Sequence, residues 1–99
     1  MVRVSVLGAI NWDINLFVER LPRVGEEVPV KKITRVPGGK GGNVAVAAAR
    51  LLGPGEVALI GCLGNDSIAE RQIRILREEG VNISGIKFSD EAESGQAYI

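Results

Sequence analysis

The sequence predicts an α/β fold built on a parallel sheet that is incomplete within these residues. Two short apolar runs, Val2–Leu7 and Val57–Leu63, have the composition of strands buried in a parallel sheet. Two helical stretches follow them in alternation, an alanine-rich one ending at Leu52 and another over Ile68–Glu79. Thirteen glycines stand mostly between these runs, where tight turns and close backbone approach call for them.

At 99 residues the chain is one small domain at most. With 45% apolar and 24% charged residues it can build a core and is not a disordered tail. Twelve basic and twelve acidic residues cancel, which argues against a nucleic-acid backbone binder or a polybasic membrane anchor. The lack of histidine removes His-based acid–base catalysis, Ser-His-Asp triads and His metal sites. Cys62 stands alone, so neither an internal disulfide nor a Cys-rich zinc site can form, and a reducing, cytoplasmic setting fits. The apolar start at Val2–Leu7 is too short for a signal sequence, and no run approaches a membrane span.

The first strand ends at Gly8. A second apolar run, Ile14–Val18, is broken by the turn Leu21-Pro22-Arg23-Val24-Gly25. Val28–Val36 alternates loosely and reads as one or two half-buried strands, held to an edge by Pro29 and Pro37. The loop Pro37–Asn43 leads into a helix over Val44–Leu52 that is apolar nearly all round and is expected to be buried on most faces. Gly53-Pro54-Gly55 ends it. Asn65-Asp66-Ser67 caps the helix Ile68–Glu79, with Ile68, Ile73 and Leu76 inward and Glu70, Arg71, Arg74, Arg77 and Glu78 in water. Gly80 stops that helix, and Gly95–Ile99 begins a further strand. Right-handed strand–helix–strand crossovers then give about three parallel strands, a narrow sheet with one edge and one face uncovered.

Two places offer chemistry. Just past the first strand, Asn11 and Asp13 are two residues apart, which puts both side chains on one side of an extended segment. An amide beside a carboxylate suits adjacent hydroxyls, and the same pair equally suits capping the turn after a strand. The second place is Gly38-Gly39-Lys40-Gly41-Gly42-Asn43 at a helix start. Bare glycines there let a ligand reach the backbone and the positive helix end, and a plain surface turn is the competing reading. The segment is not a phosphate-binding Walker loop, because Thr34 stands where the first Gly belongs and Gly41 follows Lys40. Nor does a G-x-G-x-x-G fingerprint follow the first strand.

Gly8-Ala9-Ile10-Asn11-Trp12-Asp13, Leu21-Pro22-Arg23-Val24-Gly25-Glu26, Pro37–Asn43 with Ala45–Leu51, Gly64-Asn65-Asp66-Ser67 and Glu78-Glu79-Gly80-Val81 occur in an order that resembles the N-terminal part of the ribokinase-like (PfkB) carbohydrate kinases. The resemblance runs through essentially all of the chain. It departs in about two extra residues around Leu52-Gly53-Pro54-Gly55 and in Gly42, where ribokinases commonly carry alanine.

The resemblance implies a three-layer α/β/α fold with a small β lid, its strands at about 14–36 and about 86–99. It implies a substrate site of Asn11, Asp13, Gly39, Lys40, Gly41, Gly42 and Asn43, with Gly39–Asn43 closing over a sugar. The implied parent is an ATP- and magnesium-dependent kinase of a primary hydroxyl, with ribose or a related small sugar as substrate and a homodimer possible through the lid strands. A nucleoside kinase of the same family, or a non-catalytic sugar-binding or dimerisation module, are the alternatives. The family's catalytic Asp lies in a Gly-Ala-Gly-Asp segment, and Asp13, Asp66 and Asp90 lie in none. This chain alone is therefore expected to hold no catalytic residue and no ATP or metal site, and to be inactive.

Overall fold

Val57, Leu59 and Leu63 point inward from the central strand, and the layout of the larger sheet follows from covering them. The computed structural model describes residues 1–99. Its elements are β1 (Val4–Leu7), β2 (Asn11–Phe17), β3 (Lys32–Gly38), α1 (Lys40–Leu52), β4 (Val57–Gly64), α2 (Ser67–Glu78), β5 (Ile86–Ser89) and β6 (Gln96–Tyr98). The core sheet has the order β1-β4-β5. All its pairings are parallel, with Val4 opposite Val57 and Gly61 opposite Ile86. Both crossovers step the same way across the sheet, so right-handed connections lay α1 and α2 on the same face. Ala45 and Ala49 of α1 and Ala69 and Leu76 of α2 close over Val57, Leu59, Leu63 and Ile86 to form one core.

The opposite face is bare. Leu7 and Ile60, paired in register, are 81% and 41% exposed, and Cys62 on the same strand face is exposed too. Two layers of the expected three are thus present. The same geometry corrects the expectation for the alanine helix. Only the stripe Gly41, Gly42, Ala45 and Ala49 is buried, while Val44 and Leu51 face outward. One sheet covers one stripe, and nothing in the chain covers the rest. On α2, Gln72 joins Ala69 and Leu76 as a buried residue, at the centre of a stripe expected to be wholly apolar.

The second sheet has the order β3-β2-β6, with β2 antiparallel to β3 and parallel to β6. β3 is an edge strand, which is where Pro37 is tolerated. The turn beyond β2 is clasped by Glu26, which takes two bonds from the Arg20 guanidinium and one from the Arg23 N–H. The stretch 86–99, expected to belong to the lid as a whole, divides instead. Ile86–Ser89 extends the core sheet and Gln96–Tyr98 joins the second. Ile86 is buried in the apolar core, whereas Trp12 and Ile14 offer Gln96 and Tyr98 a strand to pair with. β2 also begins earlier than its apolar run, at Asn11, because its hydrogen bonds do not require apolar side chains.

The helix α1 likewise starts four residues before the alanine run, at Lys40, so the expected loop Lys40–Asn43 is its first turn. Gly41 explains this. A Cβ there would stand 2.5 Å from the carbonyl carbon of Gly8 and 2.7 Å from its Cα. Helix backbone therefore lies directly on strand backbone, and packing by itself requires this glycine. Gly42 differs, since a Cβ there meets no packed neighbour. Gly41→Ala should lower stability by roughly 1–3 kcal/mol through overpacking. Gly42→Ala should hold or raise it by up to about 1 kcal/mol, since alanine favours a helix. Thermal unfolding of the two variants side by side checks the contrast, and equal melting temperatures would refute it.

Candidate functional site

The two sheets meet where the chain leaves β1, crosses Gly8–Ile10 and enters β2. Asn11 and Asp13 lie on one face of β2, opposite Gly38 and Val36 of β3. The Asp13 carboxylate rests on the bare Cα of Gly38, where any side chain would collide with it. Gly39 follows with φ 87°, and a Cβ there would stand 2.5 Å from the Ala9 carbonyl oxygen. Two independent reasons thus require glycine at Gly39: a left-handed backbone and no room. The Ala9 carbonyl accepts from the Gly42 N–H at 3.1 Å, and the Gly39 carbonyl from the Asn43 N–H at 3.0 Å. The N–H groups of Lys40 and Gly41 have no intrahelical acceptor and lie at the positive end of the helix.

The structure therefore brings Asn11, Asp13, Gly39, Gly41 and Gly42 together around the β1–β2 crossing. Lys40 and Asn43 are exposed on the first turn of α1. Asn43 also borders a groove of about 500 Å³ between α1 and α2, shared with Val46 and Arg50 and separate from Asp13. Arg50 spans that groove to Glu79 at 2.6 Å. No hollow contains both Asn11 and Asp13, so the pair stands on an open sheet face. Ala97 of β6 is opposite Asp13, and the Asn15 amide donates to the Thr34 hydroxyl at 3.2 Å further along the same face. This strip presents a fixed acceptor in Asp13 and a donor–acceptor in Asn11, a pairing that matches vicinal hydroxyls.

Three residues outside the predicted set hold the strip in place. Gln72 reaches from α2 to donate to the Asn11 carbonyl at 2.6 Å. Gly95 leaves room for the Asn11 side chain as it stands, since a Cβ would stand 2.6 Å from the Asn11 Oδ1 and push it aside. Ser94 is buried and donates its N–H and hydroxyl to Asp66 at 2.8 and 2.7 Å, while accepting from the Gly64 N–H. Asp66 was legible as the cap of α2, and it does accept from the Ala69 N–H at 2.9 Å. Its second task, holding Ser94, depends on a partner 28 residues away and leaves no local signal.

Residues 1–99 match the pfkB family carbohydrate kinases. The chain belongs to this family. Among its pfkB relatives, the ribokinase of Lactococcus lactis is 43% identical over 81 residues, which are 82% of this chain and 27% of that protein. The structure of Arabidopsis thaliana ribokinase complexed with ribose and ATP superposes with a TM-score of 0.85 at 31% identity, over 99% of this chain and 32% of that one. The Methanocaldococcus jannaschii nucleoside kinase gives 0.86 at 26%, over all of this chain and 32% of that one. The pfkB chain thus spans about a third of the length of these relatives, and its fold is the corresponding part of the ribokinase-like α/β fold.

In this pfkB chain the Asp66 carboxyl is held below its ordinary value, first by the Ser94 N–H, then by the Ala69 N–H and the Ser94 hydroxyl. A depressed folded pKa means the folded state releases this proton more readily than the unfolded chain. The resulting stability is complete above the unfolded value of about 3.9 and is lost as pH falls through the folded value. Asp66→Asn should be about 1 kcal/mol less stable at neutral pH and should lose less on acidification below about pH 4. Denaturant titrations at several pH values measure both, and an unchanged acid limb in the variant would contradict the assignment.

Proposed function

We propose that this chain is the sugar-binding part of an ATP-dependent kinase that phosphorylates a primary hydroxyl of ribose or a closely related carbohydrate. The observation that carries the reading is the pair Asn11 and Asp13 on one strand face, beside a helix start stripped of side chains at Gly41 and Gly42. Asp13 accepts from sugar hydroxyls, and Asn11 both donates and accepts. A Cβ at Gly42 would meet no neighbour, which leaves room for the sugar to approach the first turn of α1. Gly39 shapes the corner, and Lys40 and Asn43 add flanking polar contacts. The second sheet, with β2, β3 and β6, acts as a lid that keeps water from the transfer.

No three Asp, Glu, His or Cys side chains converge here to hold a metal. Nor does any segment have the spacing of a Walker loop. In this reading magnesium, ATP and the catalytic base belong to residues elsewhere in the kinase. No helix is long and apolar enough to cross a membrane, and the reading places the kinase in the cytoplasm.

In the full-length kinase Asp13→Ala removes a charge-assisted bond of about 1.5–3 kcal/mol, so ribose affinity should fall at least about tenfold with little change in melting temperature. Gly42→Val, whose branched side chain reaches further than the alanine common in ribokinases, should weaken ribose binding well beyond its effect on stability. The 99-residue polypeptide alone should give no phosphate transfer. Calorimetry and a coupled kinase assay, run with ribose and a panel of nucleosides, test this. Preference for a nucleoside would select the alternative supported by the likeness to the nucleoside kinase, and normal ribose use by Asp13→Ala would defeat the site.

The second sheet also favours pairing with a second copy. Leu16, Val18, Leu21, Val28, Val30 and Ile99 line an apolar hollow of about 210 Å³, and Leu21 is 85% exposed. A second lid sheet would cover these residues. Sedimentation of the kinase should give a dimer, and Val30→Asp should shift it toward the monomer. A monomeric wild type would refute the pairing.

A further inference from the structure

Gln72 is 1% exposed and sits on the inward stripe of α2, among Ala69 and Leu76. A buried carboxamide weakens an apolar core unless its hydrogen bonding is satisfied. Its Nε2 donates at 2.6 Å to a main-chain carbonyl 61 residues earlier, that of Asn11. Asn11 is a residue that the proposed function places against the sugar. We propose that Gln72 is a positioning residue for the sugar site, acting through the Asn11 main chain. The inference rests on the sugar-kinase reading given above.

The geometry around Asn11 explains why one bond matters. The residue stands at the first position of β2, where the strand has just left the Gly8–Ile10 crossing. Its Oδ1 lies against Gly95, and the next N–H, that of Trp12, donates to the Gly95 carbonyl at 2.8 Å. Gly95 follows Ser94, which Asp66 at the head of α2 holds by two bonds. The helix α2 therefore grips both strands whose ends frame the site. It holds β6 through Asp66 and β2 through Gln72. Of these two grips, only the Gln72 bond acts on a residue whose own side chain faces the sugar. Without it the peptide after Asn11 is held on one side only, through the Trp12 N–H, and the start of β2 that carries the Asn11 side chain loses its tie to α2. Asp13, two residues on and seated on Gly38, keeps its place.

The test uses the full-length kinase with Gln72→Met, which keeps length and volume but has no donor. The ribose KM should rise about tenfold, while kcat and the KM for ATP stay within about threefold. This is the loss of one fixed hydrogen-bonding partner at the sugar, about 1.4 kcal/mol per tenfold. A double-mutant cycle with Asn11→Ala separates positioning from general weakening. In the Asn11→Ala background the same Gln72 change should cost less than twofold in ribose KM, because no Asn11 side chain remains to misplace. If Gln72→Met melts too low to assay, Gln72→Asn takes its place, since it keeps the amide but falls one methylene short. An unchanged ribose KM, or equal losses in both backgrounds, would overturn the inference while leaving the sugar-kinase reading intact. A wild-type kinase that phosphorylates no sugar would defeat that reading and this inference with it.

Discussion

The direct contact of α1 with the β1–β2 crossing is the constraint from which the rest of the arrangement follows. Gly41 lies on Gly8 with no side chain between them, and the Gly42 N–H is anchored to the Ala9 carbonyl. Side-chain packing normally separates a helix from a strand; bare glycines remove that separation. The consequence is positional. The positive end of the helix is brought to the carboxyl end of the first parallel strand, where open α/β sheets bind ligands. The second sheet grows out of the same corner, because β2 begins three residues after Gly8 and β3 ends one residue before the helix cap Gly39.

Glycine acts in this corner by three distinct physical routes. Gly39 has a left-handed backbone and no space. Gly38 and Gly95 have ordinary backbones but leave room for the side chains of Asp13 and Asn11. Gly41 permits backbone-to-backbone packing. Only Gly42 faces open space, and it is the one glycine of the cluster that the fold itself does not require. A run that reads as one flexible loop is thus a set of separately constrained positions, most of them in regular structure.

Polar bonds then tie the small sheet to the larger one. The apolar core lies under the parallel sheet and ends near Ile10. Beyond it the second sheet is held by Gln72, Asp66 and Ser94, whose hydrogen bonds are directional where apolar packing is not. A buried network of this kind specifies one arrangement of the strands, because each alternative strands a polar group without a partner. The large bare face of the parallel sheet, with Leu7 and Ile60, is the counterpart: apolar, unspecific in geometry, and shaped for a further layer.

The sequence by itself determined the fold class, the family and the pairing of Asn11 with Asp13 on one face. Those features are carried by local periodicity, by glycine and proline punctuation and by motif order. The burial of Val57 and Leu59, the cap at Asp66 and the edge position of Pro37 were legible for the same reason. Element limits in the glycine-rich segment were not. Lys40–Asn43 is helical because Gly8 and Ala9 receive it, and those residues are far away in the chain. Tertiary structure alone also decided which half of 86–99 joined which sheet: Ile86–Ser89 pairs with β4 and buries Ile86 in the core, while Gln96–Tyr98 pairs with β2. Gln72 and Ser94 belong to the same class. A glutamine on a helix and a serine in a loop look solvated until a partner 61 or 28 residues away is brought within hydrogen-bond reach.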